Sequence, residues 1–418
     1  MVVYYKLNIF QKLALYAILC FPSLLVGMIK KILKIGNIIN KQDLKVSSIL
    51  VFQLGHLGDI CATVPLISCL KKYFPQASIS LCTGSWNREF AHCIKGIDEI
   101  LVYDNPFLDR RKRQNVWGAI IYFIKFISYL RKKEFSIAMD TRGHINSLYP
   151  LYLSKAKLTV GFSYKGQGIF LDRWIAFNPR HTEKYEADRL LLLLNILPLK
   201  RLELSVLEEC PIVVHEEKIN NMQHIDDDFI VTLAPSAPWP PERWPEENFA
   251  QLADKILFTC RDRVKKLKII LVGAESDEPV LTRVEESSHD ENDIKKVVCR
   301  DINELITILK KTKIFICHDS GPLHLAYILG IPTISLFGPG NWLRWSPRGK
   351  KHICIKASVP CSPCKEDLTQ ERCKKPTNEC MKKIKVEEVM IAFVNLFEQM
   401  IQHEKIKKDI NLKKIRKH

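Results

Sequence analysis

Three stretches carry residue types and spacings that can do chemistry. In LGHLGD (Leu54–Asp59), Gly55 and Gly58 bracket a turn at the end of a β-rich run, and Asp59 stands where a helix must open. Glycine lets a backbone turn tightly and approach a ligand. A carboxylate at a helix N-terminus sits in the positive end of the helix dipole, which favours its charged form. At the mouth of a cleft such a group can act as a general base; it can equally serve only as the cap of its helix. G-x-x-G-D lacks the third glycine of the dinucleotide-binding fingerprint, so that reading fails. Asp140, in MDTRG at the end of another run of the same domain, is the alternative carboxylate.

The second stretch is HDSGPLHLAYILGIPTISLFGPG (His318–Gly340). A strand runs into Asp319-Ser320-Gly321, and a helix opens near Pro322, a residue suited to a first helical position. The N–H groups of that helix start make an anion site fit for a pyrophosphate, with His324 one turn further on. Gly330 is expected to stop the helix, and Gly338-Pro339-Gly340 to form a second loop at the same sheet edge. The alternative is a pair of ordinary helix caps. The third stretch is APSAPWPPERWPEENFAQLA (Ala234–Ala253), where Ser236 follows a strand directly and Arg243 is suited to a phosphate. Glu275, in VGAESDE after the next strand, can accept hydrogen bonds from ribose hydroxyls.

The elements that must hold these loops alternate between strand and helix. SILVFQL (48–54), ASISLCT (77–83), EILVYD (99–104) and FSIAMDT (135–141) form one series. FIVTLAPS (229–236), KIILVGA (268–274), KVVCRD (296–301), IFICHDS (314–320) and PTISLFG (332–338) form another. Continuous apolar runs are the mark of strands buried on both faces, and the run at 117–130 reads as a buried-face helix between two of them. Repeated strand–helix units imply parallel sheets with helices on both faces. Two series therefore predict an α/β chain of two doubly wound domains whose ligands bind beyond the carboxyl ends of the strands, in a shared cleft. The expected division is an N-terminal segment 1–45, a first domain 46–205, a second domain 206–395 and a basic tail 396–418, with 198–228 as the linker.

These blocks together resemble glycosyltransferase family 9, the ADP-heptose:lipopolysaccharide heptosyltransferases, from about Ser48 to Val389. ILVFQLGHLGDICATVPLISCLKKYFP looks like the family's opening strand, Gly-Asp turn and helix. HDSGPLHLAYILGIPTISLFGP looks like its D-[ST]-G-x-x-H-L-A…G-x-P-T…L-F-G-P block, and RWPEENFAQLA, VGAESDE and YEADRLLLLLNIL (185–197) match lesser ones. The resemblance implies a GT-B fold, two Rossmann-like domains around a cleft. It implies inverting, metal-independent transfer of a heptose or related sugar from a nucleotide-diphosphate sugar, ADP-heptose above all, to a lipopolysaccharide core or similar lipid-linked glycan. On this reading Asp59 takes the acceptor hydroxyl proton, with Gly55, Gly58 and Asp140 on the acceptor side. Ser236, Arg243, Asp319, Ser320, Gly321 and His324 hold the donor, and Glu275 contacts the nucleoside. The family commonly has a Lys where this chain has Glu242; either Arg243 supplies that positive charge or the donor is handled differently.

Composition bounds the alternatives. The chain has 418 residues, 47% hydrophobic and 26% charged, with a net charge of +17. That composition excludes disordered, fibrous and polytopic membrane proteins and favours anionic partners. A nucleic-acid-binding or nucleotide-binding protein without activity is one competing reading. Against nucleic acid, the basic residues gather on no recognition helix. A GT-B nucleotide-sugar epimerase is another, although a lipid-linked acceptor better suits a membrane-held enzyme. Leu13–Ile29 is a run of seventeen uncharged residues, with Lys6 and Lys12 before it and Lys30, Lys31 and Lys34 after. It reads as a short anchor, an interfacial helix on the inner leaflet or a buried helix of the first domain; all three leave the main body in the cytosol, and the first two hold it at the cytoplasmic face of the inner membrane. Of fourteen cysteines, Cys361, Cys364, Cys373 and Cys380 cluster. Their spacing suits a structural zinc or iron, free thiols or a disulfide, with no catalytic role.

Overall fold

The computed structural model describes residues 44–104, 116–178, 184–197, 229–290, 292–364 and 379–415. The apolar run Leu13–Ile29, the linker 198–228 with the 205/206 boundary, and Cys373 lie outside the described residues. Two six-stranded sheets organise the rest. The first contains β1 (Ser48–Phe52), β2 (Ser78–Thr83), β3 (Glu99–Val102), β4 (Ile137–Asp140), β5 (Leu158–Ser163) and β6 (Arg173–Ala176). The second contains β7 (Phe229–Ala234), β8 (Leu267–Ala274), β9 (Ile294–Cys299), β10 (Thr312–His318), β11 (Thr333–Phe337) and β12 (His352–Lys356). All nine expected strands are present; β5, β6 and β12 are additional.

The first sheet runs β3-β2-β1-β4-β5-β6 and the second β12-β11-β10-β7-β8-β9. All strand pairs are parallel. Each order reverses direction once, between β1 and β4 in the first sheet and between β7 and β10 in the second. A crevice opens at that switch point, beyond the strand ends. The loops singled out from the sequence leave these strands: Gly55–Asp59 follows β1, Thr141–Gly143 follows β4, Pro235–Arg243 follows β7 and Asp319–Ser320 follows β10.

The central strands are wholly buried. Ile49, Leu50, Val51 and Phe52 of β1, and Ile314, Phe315, Ile316 and Cys317 of β10, have no exposed surface. One apolar cluster joins the two domains, running from Ile60, Val64 and Ile67 on the helix Leu57–Tyr73 to Leu323, Leu325 and Ile306 of the second domain. The last helix, Val386–Ile415, passes the expected 395 boundary without a break. Leu396 and Phe397 lie in the core of the second domain with Phe229 and Phe393. Residue 396 therefore belongs to the body, because burying that apolar face is what holds the helix to it.

Candidate active site

The turn after β1 is built around Gly55. Its carbonyl accepts from Trp86 Nε1 at 2.9 Å and Asn87 Nδ2 at 2.8 Å, and its N–H donates to Gln53 Oε1 at 3.1 Å. Gln53 in turn donates to Thr63 Oγ1, so strand end, turn and helix are tied together. A Cβ on Gly55 would collide with the Asp59 carboxylate, which explains the glycine. Asp59 lies in the first turn of the helix, and its Oδ2 accepts from the His56 N–H at 2.9 Å. His56 is thus the N-cap, and Asp59, at the third helical position, closes the turn back onto its N–H.

Across the interface, the helix Gly321–Ile328 opens after β10. No side chain caps it; Ser320 Oγ donates back to the His318 carbonyl at 3.3 Å. Gly321 faces Leu57 of the first domain, whose Cβ lies 3.0 Å from the position a Gly321 Cβ would take. His324, 5% exposed, packs its ring against Gly58, with Trp345 edge-on at 5.3 Å and Asp319 Oδ1 3.9 Å from its Nε2. Burial lowers the His324 pKa to about 4, against the opposing pull of Asp59 and Glu186. At neutral pH the imidazole is therefore uncharged. The loop Gly338–Gly340 lies at the same place, with Gly340 directly against the Asp319 carboxylate.

Other expected residues have different surroundings. Asp140 is fully buried, and its Oδ2 accepts from the N–H groups of Arg142 and Gly143 in its own loop. Burial raises its pKa to about 6. Its carboxylate shapes the loop after β4. Ser236 donates to Asp277 Oδ1 at 2.6 Å, whereas Glu275 stands exposed beside it. Asp277 is the acid that meets the β7 loop. Arg243 donates from Nε to the Ala237 carbonyl at 2.7 Å, which pins its own loop. His318, buried at the end of β10, accepts the Trp244 N–H on Nε2 at 2.8 Å, and its Nδ1 lies 3.4 Å from the Ser236 carbonyl. These bonds fix a neutral ring as the strut under that loop, and burial lowers its pKa to about 4.

The main residue missed is Arg344, 8% exposed, on the short helix Trp342–Trp345 just beyond the Gly-Pro-Gly loop. Its Nε donates to Glu186 Oε2 at 2.7 Å, across the domains. Glu186 also receives Arg189 Nε at 2.9 Å, and the Arg189 guanidinium lies over the rings of both Phe162 and Phe177. Burial alone would raise the pKa of Glu186, but the two guanidiniums hold it well below the usual carboxylate range. Burial likewise opposes the charge on Arg344, and Glu186, with lesser help from Asp59 and Asp319, outweighs it. A permanent cation thus lies within electrostatic reach of both Asp59 and Asp319. Arg348 extends the contact, donating to Asp188 Oδ2 at 3.1 Å.

Cys361 and Cys364 are exposed, and Cys380 is buried on the helix Glu379–Lys383. Among the described residues no group of three or more His, Cys, Asp or Glu side chains is placed to hold a metal ion. Likewise, no described helix is long and apolar enough to cross a membrane.

Comparison with known proteins identifies the arrangement. The model of glycosyltransferase family 9 (heptosyltransferase) matches residues 123–375. Lipooligosaccharide heptosyltransferase 2 of Campylobacter jejuni is 26% identical over 159 residues, 37% of this chain and 46% of that protein. The chain thus spans about half the length of that relative. Two solved structures share the fold. A family 9 glycosyltransferase from Veillonella parvula has a TM-score of 0.68 at 20% identity, covering 85% of this chain and 99% of its own. An Escherichia coli heptosyltransferase with ADP has a TM-score of 0.65 at 15% identity, covering 84% and 99%. The fold is GT-B. Since the family model spans more than half of the 418 residues, the chain belongs to glycosyltransferase family 9.

Proposed function

We propose that this protein transfers a heptose from ADP-heptose to a sugar hydroxyl of a lipopolysaccharide core, with inversion and without a metal. The observation that carries the reading is the meeting of the two switch-point loops. The Asp59 turn of the first domain abuts the uncapped helix start at Ser320–Gly321 of the second. A carboxylate able to take a proton then faces a backbone site able to hold a diphosphate, as an in-line displacement requires. The E. coli structure contains ADP and the Campylobacter relative is named for heptosyl transfer, which supports this donor class.

In this account Asp59 removes the proton of the attacking hydroxyl. The N–H groups at the start of the helix Gly321–Ile328 hold the diphosphate, and neutral His324 donates a hydrogen bond. Arg344 supplies the positive charge that Glu242 cannot, stabilising the leaving ADP as charge develops. Ser236 and Asp277, with Glu275 beside them, form the nucleoside end. Any zinc or iron held by Cys361, Cys364, Cys373 and Cys380 takes no part in transfer. The acceptor is lipid-linked and reaches the enzyme at the cytoplasmic face of the inner membrane, with Leu13–Ile29 as a first attachment.

Thermal unfolding with nucleotides tests the donor site. Millimolar ADP should stabilise the protein by roughly 1–3 kcal/mol if Kd is tens of micromolar, and more than UDP, GDP or CMP does. His324→Ala should weaken the effect. No shift with any nucleoside diphosphate would overturn the proposal.

A further inference from the structure

The helix Val116–Lys132 connects β3 to β4 on the first domain. One side of it is ordinary core: Ala119, Ile127 and Leu130 are buried, and Phe126 and Tyr122 stack with Tyr103. The opposite side is unusual. Trp117 is 75% exposed, Ile121 53% and Ile124 59%. Spacings of four and three place these three on one stripe. A soluble helix normally presents polar residues there.

Charge distinguishes this face from a plain apolar patch. The sequence VWGAIIYFIKFISYLRK contains no acid. Lys125, Arg131 and Lys132 are exposed, with Arg131 and Lys132 continuing the stripe toward the helix C-terminus and Lys125 beside it. Arg131 is steadied by the Leu153 carbonyl, 2.8 Å from its Nε. Of the acids at this end, Glu99 is already engaged by Lys133 and Tyr129, each at 2.7 Å, and Glu134 stands exposed just beyond the last turn. Large apolar side chains with an aromatic at one end and an excess of cations at the other are the composition of an interfacial helix. A crossover helix runs antiparallel to its strands. The Trp117 end therefore stands toward the carboxyl ends of β1 and β4, the edge that carries the Asp59 turn.

We propose that the outer face of this helix docks the protein on an anionic lipid bilayer, with Trp117, Ile121 and Ile124 entering the interface and Lys125, Arg131 and Lys132 contacting headgroup phosphates. The surface is separate from Leu13–Ile29. It sets orientation as well as attachment, because it turns the cleft edge of the first domain toward the lipid. The proposal does not depend on which sugar is transferred.

The test uses the full chain and vesicles of phosphatidylcholine containing about one third phosphatidylglycerol, anionic enough to attract a basic surface. Hydroxyl-radical footprinting should show Trp117 shielded when vesicles are present and open in buffer. Flotation should weaken as salt is raised. Ile121→Asp with Ile124→Asp should lower partitioning at least about tenfold, given the apolar area removed from contact, with the melting temperature and the ADP response unchanged. Lys125→Gln with Lys132→Gln should lower it by about fivefold per charge on anionic vesicles and leave binding to pure phosphatidylcholine unaltered. The proposal is overturned if the protein does not float, if it floats with Trp117 as reactive as in buffer, or if the Asp variant floats like the parent. Shielding of Trp117 already in buffer would mean that protein covers the face, in this chain or in a second copy, and would overturn it equally.

Discussion

Gly58 and His324 touch across the two domains: a Cβ on Gly58 would lie 2.6 Å from Cδ2 of the imidazole. The glycine of the Gly-Asp turn is therefore required by a side chain more than 260 residues away, and it sets how close the Asp59 turn can come to the helix Gly321–Ile328. Gly58→Ala must push either the ring or the turn aside. Overpacking of this kind costs roughly 1–3 kcal/mol. The variant should melt lower and lose kcat/KM by more than the stability change alone explains, as steady-state kinetics well below its melting temperature would show. Parental kinetics would mean that the contact is incidental.

Asp59 combines a cap with a candidate base. Asp59→Asn retains an acceptor for the His56 N–H, so stability should change little. The loss of a general base should lower kcat by about 10²–10⁴-fold. ADP binding, read by thermal shift, should persist. If the variant unfolds instead, the carboxylate is structural.

Glu186 neutralises two buried guanidiniums. Breaking a buried ion pair by removing one partner costs about 3–5 kcal/mol. Glu186→Gln should therefore unfold well below the parent in a thermal melt. Arg344→Lys keeps the charge but loses the fixed direction of Nε toward Glu186. Its kcat should fall while KM for the donor moves less. A fall in KM-dependent binding alone would place Arg344 in ground-state recognition rather than with the leaving group.

Acid should weaken the fold, and the sign can be stated. His324 and His318 have pKa values lowered to about 4 in the folded protein from an ordinary 6.5. Each contributes stability that is present above pH 6.5 and is lost as pH falls toward 4, on the order of 3 kcal/mol for His324. Asp140 works the other way: its pKa is raised to about 6, so its contribution is present below its unfolded value near 4 and is lost as pH rises through 6. Denaturant unfolding between pH 4 and 7 should show stability climbing with pH, with a shallower slope in His324→Gln and a steeper one in Asp140→Asn. A flat profile in the parent would contradict this.

The sequence was most legible where local pattern and position coincide. The runs 48–54 and 314–320 are continuous and apolar because their strands are central in a parallel sheet, and each ends in the glycine-bearing loop that a switch point needs. β6 and β12 escaped notice because they are short edge strands, only partly buried, whose residues Arg173–Ala176 and His352–Lys356 need no apolar run. β5, Leu158–Ser163, is fully buried but begins directly after a turn and carries Gly161 in its middle. Arg344 was invisible for another reason. Its importance is created by Glu186, which reaches it from the other domain, and no local spacing encodes that contact. Likewise nothing in ESDE distinguishes Asp277 from Glu275 until Ser236 is seen to point at one of them.

The most direct measurement is transfer itself. The purified chain should be incubated with ADP-heptose and a heptose-deficient lipopolysaccharide core, and product mass and anomeric configuration followed by mass spectrometry and NMR. The account predicts ADP release matched by a gain of one heptose, inverted at the anomeric carbon, without added metal. It also predicts a rate at least about a hundredfold lower in Asp59→Asn. Retention of configuration, or undiminished transfer by Asp59→Asn, would contradict it.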